Sequence, residues 1–184
     1  DRVQAMAVVS GLADSTKYDS IFEVIKTQEY ASPYMEKYVY EAMMQMGHAD
    51  YALERFKRRF GPMITDRQHT TLYEGWQEGG YGGGSTNHAW SGGMLTDICE
   101  QILGIRPSAP GWKEVMIRPT VSPITEAVIT IPTVNGTLSY SFKDDGSVYR
   151  VTITIPKNMM VRFSTPDGEQ ILRGGTHNVA FGYK

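Results

Sequence analysis

The spacing of apolar positions changes near residue 105. Before that point they recur every three or four residues, which is the period of an amphipathic helix. Beyond it apolar and polar residues alternate, which is the period of a strand. The pattern therefore predicts two domains, residues 1–105 built of helices and residues 106–184 built of strands.

Cap and stop signals divide the first segment into five predicted helices. Ser32 followed by Pro33 is the clearest start, because proline is favoured in the first turn of a helix, and Gly47 ends that helix. Gly61-Pro62 is expected to end the next one. In chain order the predicted helices are residues 1–12, a segment capped by Asp14 or Ser15, a helix from Pro33 to Gly47, Ala49 to Phe60, and Thr86 to Leu103.

Short alternating runs separated by turn residues fill the second segment. Asp144-Asp145-Gly146 and Pro166-Asp167-Gly168 are predicted hairpin turns. The predicted strands are residues 113–118, 126–131, 136–143, 147–155, 159–164 and 178–181. Strands of this length and spacing indicate an antiparallel β-sandwich. The expected fold class is α+β, with helical hairpins followed by a sandwich.

Composition excludes several classes of function. The 184 residues carry a formal net charge of −2 without a long basic patch, so no nucleic-acid partner is expected. No apolar run reaches membrane length and no signal-peptide pattern is present, which leaves the compartment open. No spacing of His, Cys, Asp and Glu resembles a metal site, and neither a metal nor a cofactor is expected. The chain begins at Asp1, inside a predicted helix, and is expected to be a piece of a longer protein.

The stretch from Thr70 to Leu95 combines residue types that suit a sugar. Aromatic rings stack on a pyranose, amides and carboxylates bind its hydroxyls, and a carboxylate can act as a general base at the anomeric carbon. Glycines let the loop bend closely around a ligand. The residues concerned are Tyr73, Glu74, Trp76, Glu78, Tyr81, Asn87, His88 and Trp90. The alternative is a solvated connection, in which Glu74 pairs with an arginine or caps a backbone N–H and His88 starts a helix.

An ordered set of segments resembles the C-terminal part of bacterial α-L-rhamnosidases of glycoside hydrolase family 78. The segments are Q-A-M-A-V-V-S-G-L, T-T-L-Y-E-G-W, S-T-N-H-A-W-S-G-G-M-L and G-I-R-P-S-A-P-G-W-K-E-V-M-I-R-P, within residues 4 to 119. The resemblance implies that residues 1–105 are the last part of an (α/α)6 barrel and that a β-sandwich follows. It also implies a carbohydrate substrate. No membrane partner is expected, because no apolar run reaches membrane length.

The resemblance further implies an inverting reaction, in which an acid protonates the leaving oxygen and a carboxylate activates water. It places the base at Glu74 and a sugar-binding histidine at His88, with Trp76 and Asn87 as neighbours that bind substrate. Tyr73 stands where the family usually carries Trp. The general acid belongs to an earlier part of the barrel, so these residues alone are expected to be inactive. An incomplete ring is also expected to leave apolar helix faces uncovered and to self-associate.

Two alternatives remain open at this point. One is another (α/α)6-barrel glycosidase. The other is a non-catalytic module, in which the sandwich binds carbohydrate or is purely structural. Exposed aromatics on one sheet face would favour binding, with Tyr140, Phe142 and Tyr149 as candidates. Tyr140 and Phe142 share one face by alternation and are expected to line the core instead.

Overall fold

The structure, a computed structural model, describes residues 1–77, 84–120 and 122–182. The chain divides into two compact units, Asp1–Gln101 and Ile102–Lys184. The described part of the first is helical and that of the second is a sheet, so the α+β class is confirmed. In the first unit the α-helices are α1 (Arg2–Val9), α2 (Tyr18–Thr27), α3 (Pro33–Gln45), α4 (Ala49–Ile64) and α5 (Gly93–Asp97).

The sequence signals place the starts of α2 and α3 correctly. The Asp14 side chain accepts a hydrogen bond from the Thr16 N–H, and the turn that follows leads into α2. At α3 the Ser32 side chain accepts a hydrogen bond from the Met35 N–H at 3.4 Å, with Pro33 in the first turn. Such caps satisfy N–H groups that have no partner inside the helix.

Two of the predicted helices differ from the structure, one in its end and one in its continuity. Helix α4 continues through Pro62 to Ile64, because Pro62 lies in the last turn, where its missing N–H removes only one helical hydrogen bond. The helix predicted from Thr86 to Leu103 is three short pieces: a 3₁₀ turn (Ala89–Gly92), α5, and a π turn (Ile98–Ile102). The start of this predicted helix is weak, because residues 92 and 93 are both glycine and the His88 side chain forms no cap hydrogen bond.

Helix α4 buries an arginine that its polar pattern did not reveal. Arg55 is 1% exposed. Its Nε donates to the Glu36 carboxylate at 3.0 Å, its Nη2 contacts Glu36 at 2.6 Å and Asp1 at 3.2 Å, and its Nη1 donates to the Ile25 carbonyl at 2.7 Å. Paired charges of this kind tie α3, α4 and the residues at the start of α1 together.

The described residues of the second unit form a six-stranded mixed sheet. Its strands are β1 (Ile105–Pro107), β2 (Glu114–Ile117), β3 (Glu126–Thr133), β4 (Gly136–Asp144), β5 (Val148–Thr165) and β6 (Gly168–Gly182). The order is β1-β2-β5-β4-β3, and β6 pairs with β5 along nearly the whole length of both. Strands β2 and β5 are parallel, whereas all other pairs are antiparallel.

This sheet curls back on itself. Phe181 lies opposite Tyr149, near the start of β5, yet its ring centroid is 6.0 Å from that of Phe163, near the end of β5. A straight strand would separate Tyr149 from Phe163 by roughly 45 Å. The bend coincides with a register shift between Ile155 and Met160. The expected antiparallel arrangement is therefore corrected: the described strands form one mixed sheet whose apolar faces meet.

The core of the second unit contains the aromatic residues that had been considered for a binding face. Tyr140, Phe142 and Tyr149 are all buried, and the rings of Phe142 and Tyr149 stack with centroids 4.5 Å apart. The expectation that Tyr140 and Phe142 line the core is confirmed. An exposed sugar-binding row is therefore not formed by these three residues.

Candidate functional site

The two segments that carry the site candidates lie side by side in the first unit. The Glu74 N–H donates to the Ser85 carbonyl at 2.9 Å, and the His88 N–H donates to the Leu72 carbonyl at 2.8 Å. The order of these bonds shows that residues 71–74 and 85–88 run antiparallel. Glu74 and His88 are therefore held on adjacent stretches of backbone, although the sequence between them is long.

Glu74 is half-buried, and its carboxylate Oε2 accepts a hydrogen bond from the Ser85 N–H at 3.0 Å. Among the described residues, no lysine, arginine or histidine forms an ion pair with this carboxylate. The backbone-capping contact considered from the sequence is thus present, and the arginine pair is not seen in the described part of the chain. Within the described residues one hydrogen bond fixes the carboxylate, and its other lone pairs can accept a bond from a water molecule.

His88 precedes the 3₁₀ turn that begins at Ala89, and its ring packs edge-on against Trp90 with centroids 6.0 Å apart. Within the described residues, neither ring nitrogen has a hydrogen-bond partner. Asn87 is exposed, and its backbone N–H and carbonyl both bond the Ser85 hydroxyl, at 2.9 and 2.8 Å. Neither side chain has a hydrogen-bond partner in the part of the chain that the structure describes, so both can meet a polar ligand.

Trp76 is held by protein contacts on several sides. Its indole N–H donates to the Ala31 carbonyl at 2.7 Å, and the Arg59 guanidinium lies 4.0 Å from its ring centroid. The Phe60 ring packs edge-on at 5.1 Å. These contacts anchor the loop to α4, so they explain the tryptophan without a ligand. Its predicted role in substrate binding stays a prediction.

Tyr73 is buried, with 5% of its surface exposed. Its hydroxyl donates to the Asp66 carboxylate, and its carbonyl accepts a hydrogen bond from the Ser91 hydroxyl at 2.8 Å. The Tyr73 hydroxyl, with help from the Gln68 N–H and the His69 ring, holds the pKa of Asp66 well below its usual range. A tryptophan here could not make the same contact, because its N–H lies elsewhere on the ring.

An exposed aromatic pair borders a shallow groove next to His88. Trp90 is 69% exposed and contacts the Tyr34 ring at a centroid distance of 5.3 Å. The groove has a volume of about 340 Å³ and is lined by Tyr34, Ala89, Trp90, Gly92, Gly93 and Thr96. Sequence reasoning missed Tyr34, because it comes from α3 and nothing in the spacing links it to the loop.

A buried carboxylate near the end of α5 also escaped the sequence analysis. Asp97 is 1% exposed, and its Oδ2 has no hydrogen-bond partner among the described residues. Burial, with a smaller contribution from nearby Glu41 and Glu100, raises the pKa of Asp97 to about 8, although Lys37 at 3.8 Å opposes the shift. Asp97 is therefore protonated over much of the neutral range.

Glu78 and Tyr81 lie outside the described residues. In the part of the chain that the structure covers, no three His, Cys, Asp or Glu side chains come together as a metal site would require. The helices described there are also too short or too polar to cross a membrane.

Comparison with known proteins gives consistent matches. Residues 104–180 match the family described as the bacterial alpha-L-rhamnosidase C-terminal domain. A curated relative from Alteromonas sp. (strain LOR), named alpha-L-rhamnosidase, is 32% identical over 105 residues, which are 53% of this chain and 11% of that protein. The chain thus spans only a small part of this relative.

Solved structures share the fold over nearly the whole chain. The α-L-rhamnosidase of Streptomyces avermitilis, solved with L-rhamnose, has a TM-score of 0.77 at 19% identity and covers 97% of this chain and 21% of its own. A family 78 rhamnosidase of Bacillus sp. GL1 has a TM-score of 0.71 at 24% identity. The match covers 95% of this chain and 19% of the Bacillus chain. At these identities the likeness is one of fold.

Proposed function

We propose that the whole protein to which this chain belongs is an inverting α-L-rhamnosidase, because residues 104–180 match the C-terminal domain of bacterial α-L-rhamnosidases and a curated α-L-rhamnosidase is 32% identical over 105 residues. It removes terminal rhamnose from glycans or glycosides. In this proposal Glu74 is the general base and His88 binds the sugar, with Asn87 and Trp76 beside them.

One observation supports the roles proposed for Glu74 and His88. The backbone pairing between residues 71–74 and 85–88 brings the T-T-L-Y-E-G-W and N-H-A-W segments together. Glu74 is fixed by one backbone donor and no described cation neutralises it, as a general base requires. In an inverting reaction this carboxylate deprotonates a water that attacks the anomeric carbon, and an acid about 6.5–9.5 Å away protonates the leaving oxygen.

The acid partner lies outside this chain in the proposal, in the earlier part of an (α/α)6 barrel that the helices complete. Uncovered apolar surface on α1 supports this placement. Val3 and Met6 are exposed, and with Leu12 they border an apolar groove of about 400 Å³. The 184 residues alone are then inactive and self-associate, because half of the catalytic pair and one side of the helix packing are missing.

The test compares the whole protein with its Glu74→Gln variant on an aryl α-L-rhamnoside. Loss of the general base is expected to lower kcat by about 10²–10⁴-fold with folding unchanged. Glu54→Gln is the matched control, because Glu54 is an exposed glutamate of α4 whose carboxylate contacts only Lys57 among the described residues. NMR of the first-formed sugar reports the anomer, and inversion is expected.

Glu74→Gln activity near wild type would remove Glu74 from the chemistry. Turnover of a different aryl glycoside, with none on rhamnoside, would favour another (α/α)6-barrel glycosidase. The same anomer in substrate and first product would contradict inversion.

A further inference from the structure

A concave groove lies entirely within the second unit. Its volume is about 410 Å³, which is in the size range of small-molecule sites, roughly 300–1,000 Å³. It is formed where the residues before β2, the bend of β5 and the middle of β6 meet. The lining residues are Ala109, Lys113, Glu114, Lys157, Asn158, Met159, Met160 and Arg173.

The charges in this groove do not cancel. Lys113, Lys157 and Arg173 are exposed, and none forms an ion pair with a carboxylate in the described ranges. The one acidic lining residue, Glu114, is already neutralised, since its carboxylate accepts a hydrogen bond from Arg162 Nε at 2.6 Å. Three unpaired cations therefore face a small volume, and they attract an anion more strongly than isolated surface lysines do.

The backbone around the groove is fixed by close contacts. The Met160 N–H donates to the Lys113 carbonyl at 3.0 Å, which ties the residue before β2 to β5. Gly174 follows Arg173, and a Cβ at this position would lie 2.7 Å from the Cα of Lys157. Only glycine lets β6 approach the bend of β5 so closely. The three cationic residues, distant in sequence, are thus brought to one place by the fold.

We propose that this groove binds the carboxylate or sulfate group of an acidic oligosaccharide. This inference rests on the proposed function, since that function supplies the carbohydrate. No lining residue is aromatic, so the groove lacks the flat ring on which a neutral sugar stacks. Recognition must come from the charged substituent, and Asn158 can bind neighbouring hydroxyls. A concave volume of this size fits one or two sugar rings better than the flat surface of a protein partner.

The test measures binding to the whole protein by isothermal titration calorimetry at low salt. The probes are a galacturonate trisaccharide for the carboxylate, a sulfated galactan tetrasaccharide without uronic acid for the sulfate, and neutral maltotriose. The proposal expects binding of at least one acidic probe and none of maltotriose. Replacing all three cations, Lys113→Gln, Lys157→Gln and Arg173→Gln, should weaken that binding at least tenfold.

A second triple variant removes the same charge from elsewhere in the unit. It carries Arg118→Gln, Lys143→Gln and Arg150→Gln, three exposed residues that do not line the groove. Binding within twofold of wild type is expected. Equal weakening by both triples would show that net charge alone attracts the probe and would overturn the site, as would absence of wild-type binding to both acidic probes.

Thermal melting of each variant checks that folding is intact. A groove triple that unfolds would be replaced by the single variants Lys157→Gln and Arg173→Gln, each expected to weaken binding about threefold, and no weakening in either would overturn the proposal. Turnover of a neutral aryl rhamnoside separates the proposed rhamnosidase activity from the proposed binding in the groove. Acidic-probe binding without turnover would reject the proposed activity and keep the groove, whereas turnover without binding would reject the groove.

Discussion

The backbone N–H of Ser85 donates a hydrogen bond to the Glu74 carboxylate across 3.0 Å, while the Ser85 carbonyl accepts one from the Glu74 N–H at 2.9 Å. The proposed base is therefore positioned by the backbone of the facing segment, and no charged side chain within residues 1–77, 84–120 and 122–182 pairs with it. A backbone donor holds a carboxylate without neutralising it, which keeps it able to accept a proton.

The first prediction concerns this donor in the whole protein. Ser85→Pro removes the N–H and should lower kcat by roughly tenfold, the factor that corresponds to about 1.4 kcal/mol of lost hydrogen bonding. Ser85→Ala keeps the N–H and loses only the hydroxyl that bonds the Asn87 backbone, so its kcat should fall less. Steady-state kinetics on an aryl rhamnoside distinguish the two. Equal losses would mean that the Ser85 N–H does not position Glu74.

The second prediction concerns Trp76. Trp76→Phe keeps an aromatic ring near Arg59 and Phe60 but removes the donor to the Ala31 carbonyl, which should cost about 1–3 kcal/mol of folding free energy. Trp90→Phe is the matched control, because Trp90 is mostly solvent-exposed. Urea unfolding followed by circular dichroism measures both. A larger loss for Trp90→Phe would contradict the anchoring role of Trp76.

The third prediction separates buried from exposed arginines on α4. Arg55→Leu leaves buried Asp1 without its arginine and Glu36 with Arg59 alone, and should cost about 3–5 kcal/mol. Arg58→Leu removes an exposed arginine that pairs with Glu29, and should cost no more than about 1 kcal/mol. Urea unfolding followed by circular dichroism measures the loss of folding free energy in both variants. Similar costs would show that the Arg55 cluster is no more important than a surface pair.

The fourth prediction is a pH dependence from Asp97. The pKa of this carboxyl is raised to about 8 in the folded protein, so the folded state binds a proton that the unfolded state has released above its ordinary pKa. The free energy of unfolding should therefore fall as pH rises from about 4 to about 8, by up to about 1.4 kcal/mol per pH unit from this group. Above about pH 8 the Asp97 carboxyl is ionised in both states, so its contribution to the free energy of unfolding no longer changes with pH.

Asp97→Asn removes the titration and keeps a similar shape. The difference in unfolding free energy between this variant and wild type should shift in favour of the variant between pH 5 and pH 8. Urea unfolding at several pH values gives that difference directly. A difference that does not change with pH would show that Asp97 titrates normally in the folded protein.

Local sequence determined the starts of α2 and α3, the strands β2, β3 and β4, and the two hairpin turns that flank β5. It divided β5 into two strands, found only the end of β6 and missed β1. Ser32-Pro33 and Asp14 cap their helices in place because a cap depends on residues next to it in sequence. Alternation likewise placed Tyr140 and Phe142 in the core. The ordered motifs also indicated a resemblance to α-L-rhamnosidases, whose C-terminal domain residues 104–180 match, because such motifs preserve residue identity as well as pattern.

Only the tertiary structure decided which distant residues meet. Arg55 is buried because Glu36 and Asp1 come from other elements to pair with it, and no periodicity within α4 encodes that. The sheet is mixed and curled because β5 bends and pairs β2 along one half and β4 along the other. Glu74 meets Ser85, and the cations at 113, 157 and 173 share one groove, for the same physical reason: long-range contacts depend on how the backbone folds back, which local propensity does not specify.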